Sequence, residues 1–452
     1  MKNQMRPLSR LAFLLATVFV SALCASGCGR VAPRVAPIDT DWTAPKVLDS
    51  ELGCRSDLQA RKFNNRAVAF DLEDHALYTL GDDGLHWDKK AVPAFNGYHL
   101  AYADATTNEI VLVKSDVLPP RNQAYQVRNF SQDRVDGEIV VASLDNDFGL
   151  QTVAREKVAL TRGDLFGTEA TSLGVYEFGF GSALVRGSQI DVPYVAQADV
   201  SFANEARKEG SPAVIGVYES QDGGSSWTRT HLFDLRGYTA LPGLFASRGT
   251  QFLLVNHAPD LVYTERSGSD APWPALQTLV AHYWYSVCAP VGDEDTFHFC
   301  WLENPATELR LKDQVPFFGE SLDYQLFYRN WEDSTATWSE ARKLSAGLKP
   351  RSISTSGLSM SVEGQRIVVA WVYHAGKGRD ARYDIAYSVS ADGGQHWSEP
   401  RQVTSTTPGR AAHSPQVVLL RGVIHLFYHH DREHAAGNCW DILYQQRRFP
   451  GT

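Results

Sequence analysis

Two segments of this chain, Ser220-Gln-Asp-Gly-Gly-Ser-Ser-Trp227 and Ser390-Ala-Asp-Gly-Gly-Gln-His-Trp397, repeat one pattern in one setting. Each follows an apolar run that carries a tyrosine, Val-Ile-Gly-Val-Tyr218 and Asp-Ile-Ala-Tyr387, and each precedes another short strand-like run. Two such matches in equivalent contexts are improbable by chance, so the chain is built on a repeated unit. The residue types explain the spacing. Glycine takes the positive φ of a tight turn without penalty. The carboxylate between Ser and Gly can accept hydrogen bonds from the turn's own N–H groups and from the serine hydroxyl.

The pattern Ser-x-Asp-x-Gly-x-x-Trp resembles the Asp box of sialidase-like (BNR repeat) β-propellers. Ser220, Asp222, Gly224 and Trp227 form one box, and Ser390, Asp392, Gly394 and Trp397 the other. The resemblance implies an all-β propeller of four-stranded antiparallel blades, with each Trp swung back to pack between neighbouring blades. It implies little about activity, because these turns are structural staples. In rhythm it covers residues 42–448, while strict boxes occupy two blades.

With 452 residues the chain can bury a large core, and a single repeat domain of this size is ordinary. Its 11 Trp and 18 Tyr suit a β-rich protein. A formal net charge of -9 without any basic run argues against a nucleic-acid partner.

The N-terminus reads as an address. Lys2, Arg6 and Arg10 precede an apolar run from Leu11 to Leu23, closed by Ala25-Ser26-Gly27-Cys28. This is a secretory signal, too short and too early for a membrane span. Small residues directly before a cysteine make it look like a bacterial lipobox. That resemblance implies cleavage before Cys28, a diacylglycerol on its thiol and a third acyl chain on its amine; several chains together anchor durably. The alternative is ordinary cleavage near Ala25 with Cys28 a free thiol. Cys24 follows bulky Leu23 and is a poor lipidation site. Residues 1–27 are thus expected to be signal, 28–41 a Pro-spaced extended tether, and 42–452 the propeller. Gly29 is not the Asp that retains lipoproteins at the inner membrane, so by analogy the expected address is the outer membrane.

The Trp after each turn serves as a ruler. Gly81-Asp-Asp-Gly-Leu-His-Trp87, Ser267-Gly-Ser-Asp-Ala-Pro-Trp273 and Asn330-Trp-Glu-Asp-Ser-Thr-Ala-Thr-Trp338 are degenerate copies. After the Trp, Ser339-Glu-Ala-Arg-Lys-Leu-Ser aligns with Ser398-Glu-Pro-Arg-Gln-Val-Thr, and Trp42-Thr-Ala-Pro-Lys-Val-Leu matches both. The last is a fourth strand with no blade before it. Pro415–Leu420, Val423–His429 and Trp440–Arg447 are three strand-like runs in want of a fourth. Pairing Trp42–Leu48 with Trp440–Arg447 would close the ring and remove the open edges. Units near 54–93, 98–143, 182–233, 243–280, 286–345 and 352–404, with the closing blade, make seven. Six, the usual sialidase number, stays open, and 150–186 could be an insertion. Helical periodicity is not convincing anywhere after the signal.

Four cysteines remain if Cys28 is lipidated, which allows three pairings. Cys54 follows the strand beginning at Trp42 and Cys439 precedes the one beginning at Trp440, so a Cys54–Cys439 bridge would lock the closure. Cys288 and Cys300 fall on consecutive strands, 286–291 and 296–301, and form the second expected pair. Four separate buried thiols are the alternative. No Cys-x-x-Cys or His-x-x-x-His spacing calls for a metal, and no cofactor is expected. His429, His430 and His434 read as a polar loop.

In a four-stranded blade the turns between strands 3 and 4 leave on one face. The strand 2–3 loops and the links between blades leave on the other, where a ligand site is expected. The links carry Arg55, Tyr98, Tyr238, Tyr283, Trp284, Arg351, Arg410 and His413. The strand 2–3 loops carry Asp74, His257, Glu303, Lys377, Arg379, Asp431 and Glu433. Arg55, Arg351 and Arg410 occupy comparable positions in consecutive blades. Resemblance to sialidases implies a carboxylate clamp by three arginines, each guanidinium fork matching a carboxylate bidentately. It also implies an Asp acid/base and a Tyr nucleophile activated by a Glu. The Arg-Ile-Pro signature is missing near the first blade and no Tyr–Glu pair can be placed. Asp74, Glu303 and Asp431 are candidate catalytic acids, and solvated loop residues are the plain alternative for the arginines.

The expected function is therefore a lipid-anchored envelope propeller that binds a glycan or a protein. The alternatives are an exo-sialidase-like glycoside hydrolase and an envelope assembly scaffold. One fold hosts many chemistries, so the fold does not choose between them.

Overall fold

Runs of alternating apolar residues separated by Gly- and Asp-rich turns can bury one face only by pairing with one another, and here they do so as seven antiparallel sheets. The computed structural model describes residues 38–49, 58–63, 66–71, 76–81, 86–92, 99–103, 109–115, 134–144, 150–166, 176–198, 212–237, 239, 242–247, 249–257, 260–268, 271–281, 288–292, 296–303, 324–332, 334–345, 347, 348, 350, 357–375, 382–431 and 440–451. The sheets are the blades of a propeller. Blade 1 spans 58–91, blade 2 99–161, blade 3 176–236, blade 4 243–280, blade 5 288–343 and blade 6 358–402. Blade 7 combines 412–448 with the N-terminal strand Lys46–Asp49. Strands run in chain order within every blade except the last.

Seven is the number the tryptophan ruler predicts, but two boundaries differ. The stretch expected as an insertion contains Leu150–Thr161, the outer strand of blade 2, paired with Arg134–Leu144 from Arg134↔Thr161 to Leu144↔Leu150. Its alternation is blurred because residue type does not follow face: Val158 and Leu160 are buried and Lys157 exposed, but Val153 and Ala159 also face water while Glu156 takes a half-buried position. Blade 3 then begins at Tyr176–Phe180 rather than at 182. The described helix is a single short turn, Arg162–Phe166.

The two Asp boxes have the geometry their residues imply. Gly223 and Gly224 have φ of 71° and 91°, and Gly393 and Gly394 68° and 89°. Ser220 donates to Asp222 at 2.9 Å and accepts the Gly224 N–H at 2.8 Å, while Asp222 accepts the Ser226 N–H at 2.8 Å. Ser390, Asp392, Gly394 and His396 repeat these bonds at 2.8 Å each. The indole N–H then folds back onto a glycine carbonyl, Trp227 to Gly224 at 2.9 Å and Trp397 to Gly394 at 3.1 Å. Gly394 is required twice over, because a Cβ there would lie 2.2 Å from the Tyr328 hydroxyl of the preceding blade.

That closeness marks the seam. Trp397 meets Tyr328 edge-to-face at 4.8 Å, and the same pairing recurs as Tyr263–Trp338, Tyr387–Trp42 and Tyr444–Trp87 at 5.7, 5.3 and 4.8 Å. In each, a third-strand tyrosine of one blade receives a tryptophan of the next.

Trp42 belongs to the strap that closes the ring. Lys46–Asp49 pairs antiparallel with Trp440–Arg448, Lys46 opposite Tyr444. Ahead of it, Thr43 exchanges bonds with Gln446, its N–H to the carbonyl and its hydroxyl accepting the N–H, both at 3.0 Å. The Asp39 carboxylate is buried between the Tyr387 hydroxyl of blade 6 and the Arg447 guanidinium of blade 7. Arg447 also reaches Asp41 at 2.9 Å.

The cysteine pairing on blade 5 is corrected by its register. Cys300, buried on Phe297–Glu303, stands opposite Ala289, and Cys288 stands opposite Trp301. The two are not cross-strand partners, since a one-residue offset moves a strand residue to the other face. Cys28, Cys54 and Cys439 lie outside the described residues.

Asp392 offers a direct test of the staple. The His396 N–H, followed by its imidazole and the Ser390 hydroxyl, holds the carboxyl down at about 2. A depressed carboxyl contributes stability above its ordinary range and loses it as pH falls towards about 2. Asp392→Ala is expected to lower stability by about 1 kcal/mol and to flatten the acid limb of the unfolding profile, with ligand binding untouched. Thermal melts from neutral to acid pH check this.

Candidate functional site

The Asp boxes join strands 3 and 4, so they mark the turn face of the ring. The link face lies at the other ends of the strands, where strand 2 stops and each chain crosses to the next blade. Blades 6 and 7 show how it is built.

The link from blade 6 to blade 7, residues 403–411, carries Arg410 and is pinned from both sides by carboxylates. Asp384, fully buried at the start of the third strand of blade 6, accepts the Thr404 hydroxyl at 3.0 Å and the Thr406 N–H at 2.7 Å through one oxygen. Its other oxygen takes Arg382 Nε at 3.0 Å. The Thr406 hydroxyl donates to the Tyr383 carbonyl at 3.2 Å, and the Tyr383 N–H donates to the Arg410 carbonyl at 3.1 Å. On the blade 7 side, Asp431 ends the second strand. Its carboxylate accepts the Ala411 N–H at 2.9 Å and its own N–H donates to the Ala411 carbonyl at 3.0 Å. Asp431, a candidate catalytic acid, thus has one oxygen committed to holding the arginine link.

Beside Asp431 sits an aromatic group. Trp440 is its register partner, and the indole lies edge-on to His413 at 4.8 Å and stacked on His429 at 5.7 Å. The histidines meet each other at 5.3 Å. Burial pulls His413 down to about 4, with His430 adding to it and Asp431 opposing. Burial and then the neighbouring His413 pull His429 down to about 3. Both imidazoles are neutral at any ordinary pH, and with half-buried Trp440 they form an uncharged aromatic floor. The expectation of a polar histidine loop is overturned for His429, which is 1% exposed inside Val423–Asp431. His434 lies outside the described residues.

The other candidates are more dispersed. Glu303, at the end of the second strand of blade 5, accepts the Trp301 indole N–H at 3.4 Å. His257 bonds the Thr239 hydroxyl at 3.0 Å, and the Thr239 N–H donates to Gln197 at 3.0 Å, tying blades 3 and 4. Arg55, Arg351 and Asp74 lie outside the described residues, as do Tyr98, Tyr238, Tyr283, Trp284, Lys377, Arg379 and Glu433. Pro350 bridges Tyr373 and Ala411 bridges Tyr383, and Tyr373 and Tyr383 lie on paired strands at one end of blade 6. Burial, reinforced by Asp384, raises the Tyr373 hydroxyl well above its ordinary range, the reverse of an activated nucleophile. No group of three His, Cys, Asp or Glu among the described residues could hold a metal.

Sequence reasoning missed Asp384, Thr404, Thr406 and Trp440. One signal was available: Asp384 opens the apolar run before the second box, a charge that a buried strand must pair. Asp384→Ala would leave Thr404, Thr406 and Arg382 without their acceptor. It is expected to cost about 2–4 kcal/mol and to open residues 403–411 to proteolytic nicking, read by mass mapping of limited digests.

No protein-family model and no curated protein matches the chain. Among solved structures, the chain is similar to a mutant of Trypanosoma rangeli sialidase displaying trans-sialidase activity, at 11% identity and a TM-score of 0.40 over 86% of this chain and 53% of that one. It is also similar to the NanB sialidase of Streptococcus pneumoniae, at 9% and 0.41 over 91% and 71%. An α-L-arabinofuranosidase of Fusarium graminearum aligns at 13% and 0.37 over 75% and 89%. The chain spans just over half the length of the Trypanosoma structure. Likeness this loose carries no argument about activity. The sheets and the two Asp boxes are themselves the finding, and they make the chain a seven-bladed β-propeller of antiparallel blades.

Proposed function

We propose that the protein is a lipid-anchored propeller of the bacterial envelope that binds a ligand on its link face without turning it over. A glycan is the ligand this face suits best. The observation that carries the reading is the end of blades 6 and 7, where the Arg410 link is clamped between Asp384 and Asp431 beside the Trp440–His413–His429 floor. Flat aromatic surface next to a few fixed charged and hydroxyl groups is the lining that small polar ligands require. The floor is uncharged and the carboxylates are engaged in holding backbone, which favours binding over acid–base chemistry. The chain also has no Arg-Ile-Pro signature.

Hydrolysis is the second reading, favoured by the comparable positions that Arg55, Arg351 and Arg410 take along the sequence. A screen of the purified protein against sialosides and neutral glycosides separates the two. Binding without turnover, weakened on the order of tenfold to hundredfold by Arg410→Ala, is the expected result. Turnover of a sialoside abolished by Arg410→Ala would establish the hydrolase instead, and neither binding nor turnover would leave the scaffold.

Anchoring is tested separately. Cys28→Ser is expected to shift the protein from the detergent phase to the aqueous phase, and unchanged partitioning would exclude a lipid at this residue.

A further inference from the structure

On the turn face, between blades 3 and 4, one guanidinium is shared by two carboxylates. Arg266 ends the third strand of blade 4 and is buried. Its Nε donates to Gln251 Oε1 at 2.6 Å, and the Trp273 ring covers it at 4.4 Å. One terminal nitrogen lies 3.6 Å from Asp191 Oδ2 and 3.5 Å from Glu219 Oε1, both on blade 3. The two carboxylates differ in surroundings. Glu219 is partly exposed and takes a second donor, the Thr230 hydroxyl at 2.6 Å. Asp191 is 1% exposed, and only its Oδ2 is served, by Gln189 at 2.9 Å and at long range by Arg266. Its Oδ1 accepts no hydrogen bond, and neither does the Gln251 amide nitrogen donate one.

Two negative charges competing for one nearby positive charge favour protonation of one of them, and a buried carboxylate with an unserved oxygen is the one that yields. We infer that the seam between blades 3 and 4 is a proton-binding site in which Asp191 takes up a proton reversibly, making this joint tighter in its protonated than in its ionised state. Among the described residues around Asp191, the charged ones are Glu219, Arg266 and Arg186, with Gln189 and Gln251 neutral. Arg186 reaches the Thr250 carbonyl at 3.4 Å and is itself held below its ordinary range by burial. Burial first, and then Glu219, raise the Asp191 carboxyl to about 7 against the opposing pull of Arg266, Gln189 and Arg186.

The sign follows. A carboxyl raised in the folded state adds stability that is complete below its ordinary range and is lost as pH rises through about 7. This face is remote in the topology from the links that carry Arg410, so the site stands apart from ligand binding.

The experiment is the melting temperature of the full chain from about pH 5 to about pH 8, for wild type, Asp191→Asn and Glu219→Gln. Asparagine is neutral throughout. Its melting temperature is therefore expected to gain on wild type as pH rises from the ordinary carboxylate range, by on the order of a few degrees, and the gain levels off at about 7. Glu219→Gln removes the competing charge and should bring that levelling-off to lower pH, which a merely structural role would not do. A difference between Asp191→Asn and wild type that is constant across the range overturns the proposal. If Asp191→Asn does not fold, Glu219→Gln decides alone: a profile shifted to lower pH supports the site and an unmoved profile overturns it.

Discussion

A four-stranded blade is too thin to bury both of its faces, and at four of the seams here a tryptophan edge is set against a tyrosine of the blade before. The four pairs cross at 64–88°, the arrangement that places the positive rim of one ring on the negative face of the other. The Asp box delivers that tryptophan. In the two strict boxes the indole N–H is tied to a glycine carbonyl of its own turn. In the degenerate copies, Trp87, Trp273 and Trp338, and at Trp42, the buried indole nitrogen has no partner. At Trp42, Trp87 and Trp338 the packing on tyrosine is kept where the hydrogen bond is not. Degenerate turns retain the seam at the cost of a buried donor.

The same contact explains how the ring shuts. Trp42 reaches Tyr387 of blade 6 from the segment just ahead of the strand that completes blade 7, so the closing element is held by two blades at once. Asp39 repeats the arrangement with charge, its carboxylate taking Tyr387 from one blade and Arg447 from the other. Loss of either partner would leave a buried charge or hydroxyl uncompensated, which is more costly than never having built the pair.

The two faces use carboxylates differently. On the link face Asp384 and Asp431 accept backbone N–H groups, fixing a connection that would otherwise be a long unpaired loop. On the turn face Asp222 and Asp392 do this within one turn, whereas Asp191 and Glu219 reach across a seam to a single arginine. Local pins hold their carboxyls down in pKa, as at Asp392. The seam cluster pushes Asp191 up, because burial there is deep and the countercharge is divided.

Sequence by itself determined the repeat and the strand that closes the ring, and it favoured seven blades while leaving six open. Those features rest on local chemistry: glycines at positive φ, a serine and an aspartate at fixed offsets, and a tryptophan that follows. It also placed Arg410 and Asp431 on the link face, because antiparallel connectivity alone assigns loops to ends. Only the tertiary structure showed that Leu150–Thr161 is an outer strand, since Val153 and Ala159 on the water side and Glu156 on the inward side blur its alternation. The offset of Cys288 from Cys300 depends on a one-residue register that no composition reveals. The burial of His429 under Trp440 and the meeting of Asp191 with Arg266 likewise join residues from different strands or blades. Their environments, and with them their charge states, come from neighbours that the fold brings together from distant parts of the chain.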